Sequence, residues 1–398
     1  MTRLYLKRGR EESLLRFHPW VFSGAVADIA GNVAEGDLVE VCSAAGEPLA
    51  LGHYQIGSIA VRVLSFDGSA AQPDFFRDRL QAALEVRRAA GIAPEALTNC
   101  YRLCHGEGDG LPGLIVDVYD GVCVIQCHSV GMFRAKDRIA KALQEIYGDA
   151  LKAVYDKSSG TAPFKAGLEL IDGYLYRAPG FNAAGETVVR ENGHAFYVDW
   201  ESGQKTGFFL DQRDNRKAVG ELAKGRKVLN LFCYTGGFSV YALAGGAEKV
   251  CSVDSSRRAV DMVERNVNLG GFDPGKHTSV CGDAIEYLKN VEEDAYDLMI
   301  VDPPAFAKYR GVLSNALRAY QRLNAAAIAK VAPGGLIFTF SCSQVVDKIS
   351  FAEAIFSAAA QVGRSVRILD RFNQPADHPV SIYHPEGEYL KGLLLYVE

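Results

Sequence analysis

Short alternations of apolar and polar residues open the chain. The runs LYLK, GDLVEVCS, PLALGHYQ and IAVRVLSF lie within residues 1–72, separated by Gly and Asp turns. Period-two patterning between turn signals predicts a small, mostly β domain. Past Pro73 the period changes: Phe76, Leu80, Ala83, Leu84 and Val86 recur at helical spacing up to Ala90, and Asp74 stands where an acidic residue favours a helix start. A Gly-rich turn (GEGDGLPG, Gly106 to Gly113) follows, then strands at LIVDVYD and VCVIQCHS, a helix from Met132 to Tyr147 and a strand at AVYDKS. The stretch closes in polar residues at 184–192. This predicts an α+β middle domain over 73–190.

From residue 191 onward the pattern becomes a regular alternation. KVLNLFCY, KVCSVD, HTSVCGD, DLMIVDPP and GLIFTFSCS read as buried strands, with helices between them at GGFSVYALAGG, SRRAVDMVERNVNLGG, around Asn315 to Val331 and from Ser350 to Val362. Final strands fall at SVRILDRF and KGLLLYVE. Near-continuous apolar strands alternating with helices imply a parallel sheet covered on both faces, ending here in an antiparallel strand. The fold class is therefore α/β, a doubly wound Rossmann-like domain over 191–398 preceded by the β and α+β domains.

Composition adds constraints. A length of 398 residues suits roughly two to four domains. With 48% hydrophobic and 23% charged residues, the chain is neither disordered nor fibrous. Its longest apolar runs, such as Leu229 to Phe232, are far below the roughly 20 residues that span a bilayer, and the Arg-rich start lacks an apolar signal region. No membrane association and a cytoplasmic location are expected, with the nine cysteines kept as thiols. The C-x3-C pairs, Cys100 with Cys104 and Cys123 with Cys127, do not match zinc spacing, so no metal is expected.

In a doubly wound sheet, ligands lie beyond the carboxyl ends of the strands. Those ends carry Tyr234-Thr235-Gly236-Gly237, Asp254, Asp283, Asp302-Pro303-Pro304 and Ser341-Cys342-Ser343. The glycines allow close backbone approach, or simply make a strand-to-helix turn. Asp254, 18 residues after Gly236, stands near the interval at which an acid holds ribose hydroxyls, which points to an adenosine-containing cofactor. The absence of G-x-G-x-x-G disfavours NAD. The proline pair removes amide donors and leaves carbonyls to accept from the exocyclic amine of a planar base, or else it merely ends the strand. Cys342 is a candidate nucleophile, although a lone cysteine is often only a small hydrophobe.

The formal charge of −5 hides local excesses of positive charge. Residues 1–20 hold five Lys/Arg against two acids, and residues 303–346 hold Lys308, Arg310, Arg318, Arg322 and Lys330 with no acid. The second stretch also contains Phe306, Tyr309 and Tyr320, so phosphate-binding charge and stacking rings coincide near Cys342, unless the stretch is only a solvated helix face.

These motifs, in this order, resemble the bacterial 23S ribosomal RNA cytosine-C5 methyltransferases of the RlmI type. KRGREESLLRFHPWVFSGAV, GEGDGLPGLIVD, KTGFFLDQRDNR, NLFCYTGGFSV, SVDSS, DPPAF, FSCS, ADHPV and YHPEGEYLKG carry the likeness across nearly the whole chain. The resemblance implies an S-adenosylmethionine (SAM)-dependent class I methyltransferase domain, an N-terminal PUA domain for RNA docking, and 23S rRNA or a large-subunit assembly intermediate as partner. A homodimer stays open. It implies an entry hairpin at 193–216 and a cofactor pocket lined by Phe232, Cys233, Tyr234, Gly236, Asp254, Ser255, Asp283, Ala284 and Asp302, closed by Thr206, Phe209 and Arg213. Cys342 and Asp302 are then catalytic, and Pro303, Pro304, Phe306, Lys308, Arg310, Arg318 and Arg322 contact substrate. The chain departs from the general methyltransferase pattern in having Tyr234 where a glycine is common, and in lacking a second cysteine at the DPPAF corner. Two alternatives remain: methylation of a base nitrogen (guanine N7 or adenine N6) without Cys342, and a non-catalytic RNA-binding assembly factor.

Overall fold

The computed structural model describes the chain except residues 93–96, 164–166, 183–184 and 308. Lys308 and residue 184 thus lie outside the described residues. The rest forms two compact units whose segments interleave along the sequence: residues 1–189, 198–210 and 376–387 make one, and 190–197, 211–375 and 388–398 the other.

The N-terminal unit contains two sheets. The first joins Thr2–Leu6, Trp20–Phe22, Val26–Ala30, Leu38–Cys42, Pro48–Tyr54 and Ile59–Ser65 into six strands. The strands at Trp20 and Val26 lack clean alternation in sequence. The second has five strands, including Cys100–His105, Leu114–Tyr119 and Val122–Cys127, packed by helices Phe75–Ala89 and Lys136–Tyr147. The sheets share one apolar core, in which Leu51 and Leu64 of the first pack with Leu80, Leu84, Val116 and Ile125. The expected β domain (1–72) and middle domain (73–190) thus share packing within one compact unit.

The helix Phe75–Ala89 shows why. Val86, on the expected apolar stripe, is exposed, whereas Arg87 is fully buried. Its guanidinium pairs with both carboxylate oxygens of Asp109 and donates to the carbonyls of Arg102 and Asp377, at 2.7 Å each. Full pairing makes the buried charge tolerable. It also ties residue 377 into this unit, an attachment no local pattern signals.

A hairpin of Glu186–Glu191 and His194–Asp199 bridges the segments. Its turn, Asn192-Gly193, holds both residues at positive φ (+49° and +82°), the signature of a type I′ turn. The hairpin therefore precedes the KTGFFLDQRDNR segment expected to form it; that segment contributes a turn and a helix start.

The C-terminal unit is a seven-stranded sheet. Its elements are α1 (Arg213–Leu222), β1 (Lys227–Leu231), α2 (Gly237–Ala244), β2 (Lys249–Asp254), α3 (Arg257–Leu269), β3 (His277–Cys281), α4 (Ala284–Asn290), β4 (Tyr296–Val301), α5 (Leu313–Lys330), β5 (Val331–Ser341), α6 (Lys348–Val362), β6 (Val366–Asn373) and β7 (Lys391–Val397). The order is β3-β2-β1-β4-β5-β7-β6, with β7 antiparallel between β5 and β6. One face packs on α1 to α3 through Val219, Phe238 and Val263, the other on α4 to α6 through Leu288, Leu323 and Phe351. The order reverses at β1 and β4, the switch point beyond whose carboxyl ends a ligand should lie.

Candidate active site

The loop after β1 is conformationally unusual. Phe232 and Tyr234 hold φ of +57° and +46°, and Gly236 +81°. Bulky residues in the left-handed region cost on the order of 1–2 kcal/mol each and persist where their surroundings fix them. Here the Tyr234 amide donates to Asp254 Oδ2 at 2.9 Å, and the Gly236 amide to the Cys233 carbonyl at 2.8 Å. Tyr234 thus adopts a backbone that glycine commonly supplies. At Gly236 a Cβ would come within 2.9 Å of Val263 Cγ1, so the glycine is required by close approach as well as by φ. The loop forms an open cradle at the head of α2.

Asp254 ends β2, and its Oδ1 accepts from the Ser256 amide at 2.9 Å. Two backbone donors orient the carboxylate while each oxygen keeps a lone pair for a hydroxyl. Ser255 lies exposed beside it, and its carbonyl accepts from Cys281 Sγ. Asp283 caps α4, its Oδ1 taking the amides of Ile285 and Glu286 at 2.9 Å, with Ala284 buried as the first helical residue. Cys233 is buried, and desolvation pushes its thiol well up, so it contributes packing.

The residues expected to close the pocket divide between the two units. Thr206 and Phe209 belong to the N-terminal one. Thr206 is fully buried there, donating to Asp117 Oδ2 at 2.6 Å and bonded to Tyr119 Oη at 2.8 Å; Asp117 in turn accepts both arms of Arg102. Arg213 starts α1 in the C-terminal unit, buried with Nε 3.8 Å from Glu191.

The corner after β4 is bonded to the one after β5. Asp302 Oδ2 accepts from Gln212 Nε2 at 3.0 Å. Burial, then the neighbouring Asp211 carboxylate, raise its pKa to about 7, against the opposing pull of Gln212 and Arg216. Pro303 is buried and Pro304 exposed. Ser343 Oγ donates to the Ala307 carbonyl at 2.6 Å, and Ser341 Oγ to Tyr320 Oη at 2.9 Å. Cys342 stands partly exposed between these two anchored serines. Phe306 packs on Tyr320 with ring centroids 4.8 Å apart. Tyr320 is fully buried, so it braces the site from below and cannot stack on RNA as its position in sequence suggested.

Tyr309 is 65% exposed, and Arg310, Arg318 and Arg322 are exposed too. Arg318 and Arg322 sit one turn apart on α5, and among the described residues no carboxylate lies within ion-pair distance of any of the three arginines.

A buried polar chain carries little signal in the sequence. Asn230 Nδ2 donates to Ser239 Oγ at 2.8 Å, Ser239 pairs with Ser252 Oγ at 2.7 Å, and Ser252 with His277 Nε2 at 2.8 Å. It links β1, α2, β2 and β3 near the loop that follows β1; polar residues inside apolar strands are its only trace in the pattern. Among the described residues no cluster of three His, Cys, Asp or Glu could hold a metal ion. The C-x3-C cysteines are all buried, and desolvation raises Cys123 and Cys127, the latter to about 12. No helix among these residues is long and apolar enough to cross a membrane.

Comparison with known proteins decides the family. Residues 182–395 match the model of S-adenosylmethionine-dependent methyltransferases, and residues 4–66 that of the PUA-like domain. The chain belongs to the SAM-dependent methyltransferases. It is 41% identical to ribosomal RNA large subunit methyltransferase I of Aeromonas hydrophila over 98% of both chains. Against the protein of that name from Erwinia tasmaniensis it is 40% identical, again over 98% of both. A solved methyltransferase complexed with SAH, 25% identical, superposes over the full length of both chains with a TM-score of 0.85. The cofactor is therefore SAM.

Proposed function

We propose that the chain methylates C5 of a cytosine in 23S ribosomal RNA through a covalent adduct with Cys342. The observation that carries this reading is Cys342 itself, held between anchored serines, of which Ser343 donates to the Ala307 carbonyl in the loop that follows Asp302-Pro303-Pro304. The relatives named for large-subunit ribosomal RNA, alike over 98% of the chain, support the substrate.

The loop 232–236, Asp254, Ser255, Asp283 and Ala284 are the residues that would hold SAM, which supplies an electrophilic methyl group. Cytosine C5 is a weak nucleophile. Addition of the Cys342 thiolate to C6 makes the C4–C5–C6 unit an enamine, which attacks that methyl through C5. A carboxyl of pKa about 7 is partly protonated at neutral pH, so Asp302 donates a hydrogen bond to N3 as negative charge develops there. Loss of the C5 proton to a base and expulsion of the thiolate restore the aromatic ring. Pro303, Pro304 and Phe306 shape the corner that receives the base, and Arg310, Arg318 and Arg322, with Lys308, meet phosphates. A paired target cytosine would have to be flipped out.

Replacing Cys342 with Ala tests the mechanism. Loss of methyl incorporation, together with a stable protein–RNA adduct formed by the parent on 5-fluorocytosine RNA, is expected. Near-normal turnover of Cys342→Ala would sink the adduct and favour methylation of a base nitrogen. Mass-spectrometric mapping of 23S rRNA from cells with and without the gene identifies the product, 5-methylcytidine being the nucleoside expected to disappear.

A further inference from the structure

Lys391 opens β7, directly opposite Ser341 in the register of β5 and β7, one residue from the proposed nucleophile. Its side chain is almost fully enclosed, 6% exposed. The ammonium donates to the carbonyls of Ser343 and Val346, both at 2.5 Å. Those carbonyls belong to the loop that carries Cys342 toward α6. Among the described residues no carboxylate lies within ion-pair distance of Lys391.

Enclosing a cation without an anion is costly, and two neutral carbonyls offset only part of that cost. The nearby carboxylates are engaged elsewhere. Asp347 caps α6 through Ser350, and Glu388 pairs with Lys348 at 2.5 Å. Cys342, just past β5, is the remaining acidic group acting on the ammonium, Lys348 opposes its charge, and Tyr320 of α5 acts on Cys342.

We propose that Lys391 is the positioning residue for Cys342, fixing the 343–346 loop through its carbonyls and favouring the thiolate by its unneutralised charge. This rests on Cys342 being the nucleophile. Burial lowers the Lys391 pKa to about 8, and Cys342 pulls it back up. Such coupling is mutual: a thiolate that holds the proton on Lys391 is itself favoured by that proton. The positive charge is the physical content of the proposal, since a loop fastener alone needs only a hydrogen-bond donor.

The test is the pH profile of Cys342 alkylation by iodoacetamide in the full chain, read by peptide mass spectrometry, with partly exposed Cys281 as internal reference. In Lys391→Met the midpoint for Cys342 should move up by about one pH unit, a roughly tenfold slower reaction near neutrality, while Cys281 is unchanged. Lys391→Arg should keep the midpoint of the parent. Lys391→Gln, which retains a donor but no charge, should behave as Met does and serves if the Met variant does not fold. An unshifted midpoint in the uncharged variants, or an equal shift in Lys391→Arg, overturns the proposal. Full methyl transfer by Cys342→Ala would instead remove the nucleophile reading and leave the alkylation result standing, so the two failures are distinguishable.

Discussion

Single side chains in this protein do work that their positions in sequence only half announce. Asp302 shows it through pH. Its carboxyl would titrate near 3.8 in the unfolded chain and titrates near 7 when folded. Between those values the folded chain keeps a proton that the unfolded chain has released, so this group's contribution to stability falls as pH rises from about 4 to about 7 and is level above. Asp302→Asn removes that loss. Relative to the parent, the variant should gain on the order of 1–3 kcal/mol between pH 4 and pH 8, while methyl transfer drops. Urea unfolding at both pH values checks it; an offset independent of pH would contradict it. Thr206 is the opposite case. The family resemblance places it at the cofactor, yet its hydroxyl is spent on Asp117 and Tyr119. Thr206→Val leaves buried Asp117 short of a donor and should cost about 1–3 kcal/mol, read as a lowered melting temperature.

At the scale of elements, the doubly wound part was the most legible. Its strands announce themselves because a strand buried on both faces must be apolar throughout, as in Leu229 and Leu231 of β1 or Met299 and Val301 of β4. The hairpin before it lies upstream of its expected place because its strands are short and partly exposed, and because its turn, Asn192-Gly193, sits at the end of a polar stretch that reads as a linker. That hairpin matters. It delivers Glu191, fully buried, to Arg216 of α1, with oxygens 2.8 and 2.7 Å from the guanidinium, and to Tyr241 of α2 at 3.0 Å. Glu191→Gln strands two buried guanidinium groups and should destabilise the unit by about 3–5 kcal/mol, measured by denaturant titration. On the opposite face, α5 carries Arg318 and Arg322 outward without carboxylate partners. Reversing Arg310, Arg318 and Arg322 to Glu should weaken RNA binding and flatten its salt dependence, by roughly 0.7 to 0.9 in log–log slope for each phosphate left without its cation. An unaltered slope would mark α5 as a solvated face.

For the whole molecule, the sequence suggests three consecutive domains, and the described residues group into two compact units whose segments interleave. Local periodicity finds elements, but it cannot find Arg87 reaching Asp377 across 290 residues, or the Asp377 carboxylate accepting from the Arg102 amide at 3.0 Å. The strand-end residues were legible because topology alone brings the ends of β1, β2, β4 and β5 to one edge. Which of them are held by backbone donors, and that Lys391 lies enclosed opposite Ser341, next to Cys342, depended on packing. The division has a thermodynamic consequence. The residues proposed to hold SAM, from Phe232 to Ala284, all belong to the C-terminal unit, so on that proposal cofactor binding is linked to the stability of that unit. SAM at a hundredfold excess over its Kd should stabilise it by about 2.7 kcal/mol. Amides of β1, β2 and α2 should therefore exchange hydrogen more slowly with SAM present, while those of the strands Leu114–Tyr119 and Val122–Cys127 stay at their own rates. Slowing confined to the N-terminal unit would place the cofactor outside the cradle, and Gly236→Ala, which sets a Cβ against Val263, should abolish the protection in the C-terminal unit.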